Sequence, residues 1–157
     1  MRYYQLTFQP AVTRQPNPVP IIRVDPAEGA APRRAVDVLR AGGLLVFPAE
    51  DGYYVGCAAS DAAAVDRLRQ VTGAAPDQIV RFVASEQDAA GAGGLARAPA
   101  HPVARALLRD AGVALAAATA PAGGRPAPTA QQVVFVVGDE VDLVLDAGRV
   151  GALPAAA

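Results

Sequence analysis

The sequence predicts an α/β or α+β domain in which helices pack on a central sheet. Strand-like and helix-like segments alternate along the 157 residues. Valine (20 residues) and leucine (12 residues) supply most of the large apolar side chains, and both suit a sheet covered by helices. Because this length is enough for one core and short for two, we expect a single domain over residues 1–157.

The first 26 residues predict a strand and a proline-rich lead-in. Residues 3–8, YYQLTF, alternate in the manner of a strand, whereas the prolines between residues 10 and 20 disfavour any regular element. Residues 20–24, PIIRV, are a second short strand candidate, which an Asp-Pro pair ends. The sheet therefore begins near residue 20 at the latest.

A helix, two strands and a second helix are predicted next. Pro32 suits the first turn of a helix, and a Gly-Gly pair marks the end of that helix. The run LLVF at 44–47 is continuously apolar, as in a strand buried on both faces. A second apolar strand follows, and then a helix with Ser60 as its predicted N-cap and Val71 near its end.

The second half continues this alternation. It begins with a predicted strand at 79–84, an alanine- and glycine-rich loop or poor helix at 87–98 and a helix from His101-Pro102 to Gly112. A strand at 113–118 and a Pro/Gly loop at 121–128, with Arg125 at its tip, are predicted next. The last predicted elements are a strand at 141–146 and a frayed tail at 152–157. Residues 133–137 are ambiguous. Their β-branched and aromatic side chains favour a strand, whereas Thr129 as an N-cap and Gly138 as a stop favour a helix.

Composition excludes several classes of chemistry. All 14 basic residues are arginine, so Schiff-base chemistry and a P-loop lysine are excluded. A net charge of −1 disfavours a broad electrostatic grip on nucleic acid. One cysteine precludes an internal disulfide, and no apolar run approaches the ~20 residues of a membrane span. We expect a cytoplasmic protein without a membrane partner.

An acidic and aromatic loop between two strand ends is the first candidate site. Glu50, Asp51, Gly52 and Tyr53 occupy it, and such a loop can hold a small polar ligand through side chains and backbone amides. Two adjacent carboxylates supply too few ligands for a metal ion, so a solvated turn is favoured and no metal site is predicted.

Cys57 and His101 suggest a thiol nucleophile with its base, but a structural interpretation is favoured. The spacing shows no third group that would orient the histidine. A cysteine on an apolar strand is usually packed, and a histidine before Pro102 suits a helix cap. No catalytic residue is therefore predicted.

Four segments together carry a resemblance to a known family. They are LRAGGLLVFPAEDGYYVGC at 39–57, DAAAVDRLRQ at 61–70, RAPAHPVARALL at 97–108 and PTAQQVVFVVGDEVDLVLDAGRVG at 128–151. In this order they resemble the YrdC/YciO family, which includes the threonylcarbamoyl-adenylate synthases. The likeness is closest to the YciO branch, with a Gly-Tyr after the acidic pair and an Arg-Gln-apolar sequence at a helix end.

This resemblance implies a fold, ligands and a reaction. It implies a YrdC-like twisted mixed sheet with helices packed on it and a deep basic cavity, where ATP (with Mg) and threonine bind. Active members, which are nucleotidyltransferase-type enzymes, condense threonine, bicarbonate and ATP into threonylcarbamoyl-adenylate for tRNA modification. Some members bind double-stranded RNA.

Carried over by position, the family's ligand contacts are only partly kept here. The resemblance assigns no metal ligand. It implies six ligand-binding residues, which are Pro48, Tyr53, Gly56, Arg69, Arg97 and Thr129. Arg97, in an intact Arg-x-Pro, is the strongest candidate for a phosphate contact. Arg69 stands at the first position of the family's Lys-x-Arg pair and keeps its positive charge. Val71 stands at the second position, so the second cation is absent.

Other family features are missing. The threonine of a Pro-Thr pair is Ala49, and a Ser-x-Asn element falls within Ala116–Ala120, where its polar groups are absent. A family stretch with Pro-Gly-x-x-Thr and more strand, before Arg97, has no counterpart, and neither does a Ser-Thr pair near the end. A sheet without these pieces has an uncovered edge, which favours either a homodimer or a rearranged core.

The function expected from these observations is a divergent, shortened YciO-type protein. It would bind a nucleotide or another small polar ligand, with synthase activity weak or lost. The alternative is a non-catalytic module that binds double-stranded RNA or a protein on the same fold. A third hypothesis is an enzyme that acts on a different small substrate.

Overall fold

A mixed sheet of seven strands forms the centre of the computed structural model, which describes residues 19–28, 31–92 and 95–150. The predicted strand at 3–8 and the tail at 152–157 lie outside these residues. The strands are β1 (Ile21–Arg23), β2 (Leu45–Ala49), β3 (Gly52–Ala58), β4 (Val80–Phe82), β5 (Ala96–Arg97), β6 (Leu115–Ala118) and β7 (Leu143–Asp146). Their order is β1-β7-β2-β3-β6-β4-β5, with β1–β7, β7–β2 and β4–β5 parallel and the other pairs antiparallel.

Helices cover both faces of this sheet, which confirms the predicted α/β class. They are α1 (Arg33–Arg40), α2 (Ala62–Thr72), α3 (Glu86–Ala92), α4 (Pro102–Ala111) and α5 (Ala130–Val137). One core layer contains the buried residues of α1 and α4, and the other contains those of α2 and α5. None of these described helices is both long and apolar enough to cross a membrane.

The apolar run of β2 is buried on both faces, as predicted. Leu45 and Phe47 point into the α1/α4 layer, whereas Leu44 and Val46 point into the α2/α5 layer. Alternate residues of a strand face opposite sides, so a run without polar residues is required where both sides are covered.

Most predicted helix ends are confirmed, and one is wrong. His101 caps α4, and Gly112 ends it in the left-handed conformation. The N-cap of α2 is Asp61 and not Ser60, because the Asp61 carboxylate accepts the Ala64 N–H at 3.1 Å.

The ambiguous segment at 133–137 is helical. Thr129 caps α5, and Val133 and Val137, four residues apart, are both buried against the sheet. Packing at this helical spacing outweighs the strand propensity of the β-branched residues. In the segment predicted to be a loop or poor helix, α3 forms, but β5 is an element that the sequence did not predict.

Close packing at Gly56 holds β3 against its neighbours. A Cβ atom there would lie 2.6 Å from Phe47 Cε1 and 3.1 Å from the Ala116 carbonyl oxygen. Phe47 is fully buried, so its ring has little freedom to move away. This position therefore accepts only glycine without rearrangement.

Gly56→Ala is expected to lower the free energy of unfolding by about 1–3 kcal/mol through overpacking. Gly91→Ala is a matched control, because a Cβ at Gly91 in α3 meets nothing within 4 Å. The control is expected to raise stability by ~0.5–1 kcal/mol through helix propensity. Urea unfolding followed by circular dichroism measures both, and equal effects of the two substitutions would contradict the packing described here.

Candidate functional site

The hairpin of β2 and β3 is joined to the loop at 121–128. The Tyr53 N–H donates to the Ala127 carbonyl at 2.8 Å, which forms an isolated bridge. Gly52 has a φ of 140°, and a Cβ there would lie 2.6 Å from Pro126 Cβ. A glycine at the start of β3 thus lets the loop lie directly against the hairpin.

A charged cluster forms where the hairpin turns. Arg97 Nη2 donates to Asp51 Oδ1 at 2.8 Å and to the Tyr54 hydroxyl at 3.0 Å. The Tyr54 hydroxyl donates to Asp51 Oδ2 at 2.9 Å. Arg97 Cζ also lies 4.9 Å from the ring centroid of Phe82 and 5.5 Å from that of Tyr54. We call Asp51, Tyr54 and Arg97 the Asp51–Arg97 cluster, in which a guanidinium is held by charge, hydroxyl and aromatic faces.

The charge state of the cluster follows from its surroundings. Burial raises the pKa of the Tyr54 phenol, and its hydrogen bond to Asp51 raises that pKa further, so the phenol stays protonated. Burial alone lowers the pKa of Arg97, but the hydrogen bond with Asp51 and the nearby negative charge outweigh burial and raise it. Arg97 Nε is buried and has no hydrogen-bond partner among the residues that the structure describes.

The acidic pair is exposed but is tied to the rest of the chain. Both side chains are exposed, as the predicted solvated turn requires. Glu50 Oε1 accepts the Ala100 N–H at 3.0 Å, and Asp51 pairs with Arg97. The turn therefore fixes the segment between β5 and α4.

A buried network lies under the other face of the hairpin. The fully buried Tyr53 hydroxyl donates to the Gly148 carbonyl at 2.6 Å and accepts the Ala147 N–H at 2.8 Å. Asp146, at the end of β7, accepts the Gly148 N–H and the Gln131 side-chain amide, each at 2.9 Å. These hydrogen bonds connect strand β3 to the segment after β7 and to helix α5.

The two acidic groups of this network are held in opposite protonation states. Burial raises the pKa of Tyr53 to about 12, so its hydroxyl remains a donor. Burial also acts to raise the pKa of Asp146, but hydrogen bonds from Gln131 and Gly148 outweigh it and lower that pKa. Asp146 is therefore a buried carboxylate.

An open groove of about 940 Å³ runs between α5 and the loop at 121–128. We call it the α5 groove. Its lining residues are Asp51, Ala120, Arg125, Pro126, Ala127, Pro128, Gln131, Gln132, Phe135, Val136 and Val150. The Tyr53–Ala127 bridge and the Tyr53 network hold its walls in place.

Four of the predicted ligand-binding residues do not line this groove. Pro48, Tyr53 and Gly56 are buried in the β2–β3 hairpin, where they pair with neighbouring strands. Thr129 caps α5, with its hydroxyl accepting the Gln132 N–H at 3.4 Å. Tyr53 and Thr129 hold the walls of the groove through the bridge to Ala127 and the cap of α5, whereas Gly56 packs against Phe47 in the α1/α4 layer.

The two predicted phosphate-binding arginines belong to opposite faces of the sheet. Arg97 packs on Tyr54 and Phe82, whose rings lie in the α1/α4 core layer. Arg69 lies on α2, which packs on the other face, and its Nε donates to the Ala74 carbonyl at 3.2 Å. The structure therefore does not bring these two cations together around one phosphate.

Cys57 and His101 do not form a reactive pair. Cys57 is fully buried, and burial together with the charge of Asp61 raises its pKa to about 12. His101 Nδ1 accepts the Val103 N–H at 3.1 Å as the cap of α4. Cys57 is thus a packed strand residue and His101 a helix cap.

Three residues of the site carried no functional assignment in the sequence. Tyr54 is the neighbour of a predicted residue, and its partner Arg97 is 43 positions away. Arg125 is recognisable as the cation of its loop, but its place at the groove depends on the fold. The exposure of Phe135 could not be predicted, because it follows only if residues 133–137 form a helix and not a strand.

Fold and site together define a class: an α/β domain with a YrdC-like mixed sheet and a groove beside the β2–β3 hairpin. No family model matches the sequence. P. abyssi Sua5, solved in complex with L-threonine, is similar over 84% of this chain and 51% of its own, with a TM-score of 0.67 and 20% identity. E. coli YciO is similar over 85% of each chain, with a TM-score of 0.62 and 19% identity.

A third similar structure is full-length HypF in a phosphate- and nucleotide-bound form. It covers 86% of this chain and 31% of its own, with a TM-score of 0.62 and 12% identity. This chain thus spans about half the length of the Sua5 chains that it resembles. At these identities the comparisons establish the fold, which is shared with Sua5 and YciO, and they do not establish an activity.

The pH dependence of stability tests the cap of α4. Burial lowers the pKa of His101 from its ordinary 6.5, and Glu50 opposes this shift. Because the unfolded chain then binds the proton more readily, the stabilisation is complete above pH ~6.5 and is lost as the pH falls through the lowered pKa. We expect urea unfolding to show a lower free energy of unfolding at about pH 5.5 than at about pH 7.

His101→Asn is the control for this measurement, because asparagine caps a helix without titrating. His101 is the sole histidine of the chain, so the variant removes the one imidazole that titrates in this range. The variant should lose less stability than the wild type over the same pH interval. An identical loss in both proteins would contradict the assignment.

Proposed function

We propose that this chain binds a nucleotide, or another small phosphate-bearing ligand, in the α5 groove. The groove itself carries the proposal: its volume of about 940 Å³ lies in the range of small-molecule sites, and Arg125 places a guanidinium in its lining. Sua5 bound to L-threonine and HypF bound to phosphate and nucleotide support small-ligand binding on this fold.

Two arginines, Arg125 and Arg97, contact the phosphate in different ways under this proposal. Arg125 is exposed and has no hydrogen bond or ion pair with any residue that the structure describes, so its donors are free for phosphate oxygens. Arg97 is held by Asp51, which itself lines the groove. A phosphate that displaces the Asp51 carboxylate gains Arg97 as a second cation.

The remaining predicted contacts have supporting roles in this proposal. Tyr53 joins the hairpin to the loop at 121–128, and Thr129 caps α5. Pro48 and Gly56 are buried strand residues of the same hairpin. Arg69 lies on the separate α2 surface, beside a hollow of about 310 Å³. It has no place in the binding of this ligand.

Synthesis of threonylcarbamoyl-adenylate is proposed to be weak or lost. Ala49 ends β2 with a fully buried methyl group, and β6 consists of Leu115 followed by three alanines. Thr119 has a hydroxyl, but it donates to the Pro121 carbonyl at 3.2 Å. The ends of these strands therefore offer few side-chain groups to hold the amine and carboxylate of threonine.

Isothermal titration with MgATP and L-threonine tests the proposal. We expect ATP to bind with a dissociation constant of about 10 μM to 1 mM and threonine not to strengthen that binding. Arg125→Ala should weaken ATP binding about tenfold or more, because a charge-assisted phosphate contact is lost. Arg105→Ala, on the exposed side of α4, is the matched control and should leave the affinity unchanged.

Two results would contradict this proposal. If ATP does not bind to the wild type, the α5 groove is not a nucleotide site. Tight ordered binding of ATP and threonine, with bicarbonate-dependent release of pyrophosphate, would show that synthase activity is intact despite the missing groups.

A homodimer through the edge of the sheet is proposed as the partner arrangement. Among the residues that the structure describes, β1 is the last strand at one end of the sheet, and Ile21 within it is 48% exposed. An edge strand presents unpaired backbone groups to another chain.

A further inference from the structure

The outward face of α5 combines two glutamines, Gln131 and Gln132, with two exposed apolar side chains, which are unusual on the surface of a helix. Its sequence, AQQVVFVV, contains no charged residue. Phe135 is 91% exposed and Val136 is 48% exposed, although surface positions of an amphipathic helix are normally polar. An exposed aromatic ring beside a groove is the arrangement expected of a ligand-binding wall.

Phe135 and Arg125 are the groups in the groove that remain open to a ligand. Both line it, together with the apolar residues Pro126, Pro128 and Val150. Within the described ranges, the Phe135 ring stacks on no other aromatic ring, and Arg125 has no polar partner. One aromatic face and one cation are thus left without partners.

The other polar side chains of the lining, Asp51, Gln131 and Gln132, each make at least one hydrogen bond within the chain. Asp51 is bonded to Arg97 and Tyr54, so its charge is balanced. The Gln131 amide donates to Asp146, and the Gln132 side-chain oxygen accepts the Thr129 hydroxyl. The lining is therefore complementary to a ligand that combines a flat apolar body with negative charge.

We infer that the nucleobase of a nucleotide stacks on Phe135 while its phosphate binds Arg125. This inference rests on the proposed function and adds how the ligand is recognised. Every nucleobase has a π face, so stacking makes the site tolerant of base identity. Recognition through Phe135 then requires a base, whereas recognition through Arg125 requires only phosphate.

Phe135 variants separate these two contributions. Phe135→Ala should weaken MgATP binding about tenfold, as expected for the loss of one base–aromatic stack, and Phe135→Trp should bind at least as tightly as the wild type. Inorganic tripolyphosphate, which has no base, should bind wild type and Phe135→Ala equally. Arg125→Ala should weaken the binding of both MgATP and tripolyphosphate, because both contain phosphate. GTP should bind within about threefold of ATP.

The chain contains no tryptophan, so Phe135→Trp also supplies a single fluorescent reporter in the groove. ATP should quench its emission with the affinity found by titration calorimetry, and tripolyphosphate should quench it much less. Because Phe135 is almost fully exposed, neither substitution removes core packing. Matching circular dichroism spectra check that both variants are folded.

The results separate this inference from the proposed function. If ATP and tripolyphosphate both fail to bind the wild type, the proposed function is wrong and the inference falls with it. If ATP binds in an Arg125-dependent way but Phe135→Ala has unchanged affinity, the proposed function stands and the stacking role of Phe135 is wrong. An equal weakening of ATP and tripolyphosphate by Phe135→Ala would also overturn the stacking role.

Discussion

The hydrogen bonds of the Tyr53 hydroxyl are the constraint on which the site depends. This buried group bonds to the backbone of Ala147 and Gly148, just after β7, and so fixes the end of that strand to β3. Asp146 extends the network to Gln131 of α5. Leaving buried donors and acceptors unpaired costs about 1–3 kcal/mol per group, so these elements keep their relative positions only while the network is complete.

The period of a β-strand explains how one hairpin serves both faces of the sheet. Tyr53 and Tyr54 are consecutive in β3, so their side chains point to opposite faces. Tyr53 enters the α2/α5 layer and supports the groove, whereas Tyr54 enters the α1/α4 layer and holds Arg97. Asp51, in the connection itself, lines the groove and also binds Arg97. The lining of the groove is thereby linked to a cation that packs on the opposite layer.

Much of the fold could be predicted from the sequence because its signals are local. The apolar run of β2, the glycine that ends α4 and the cap at Thr129 each act within a few residues. The misplaced cap of α2 shows the limit of this approach, since Ser60 and Asp61 both suit the role and geometry selects Asp61. Strand β5 has two residues and forms through pairing with β4, so its own sequence carries no clear signal.

The site was less predictable because its contacts are long-range. Family resemblance grouped Arg69 with Arg97, but these residues belong to opposite faces of the sheet, a separation that only the order of the elements reveals. The groove is lined by Arg125 and Phe135, which come to the same site because the loop after β6 lies beside α5. Neither residue has a sequence neighbourhood that indicates a ligand.

A crystal structure of the complex with MgATP would test this account most directly. We expect density in the α5 groove, with phosphate oxygens within hydrogen-bonding distance of the Arg125 guanidinium and the base against the ring of Phe135. Ordered nucleotide beside Arg69 on the α2 surface, with an empty α5 groove, would contradict it.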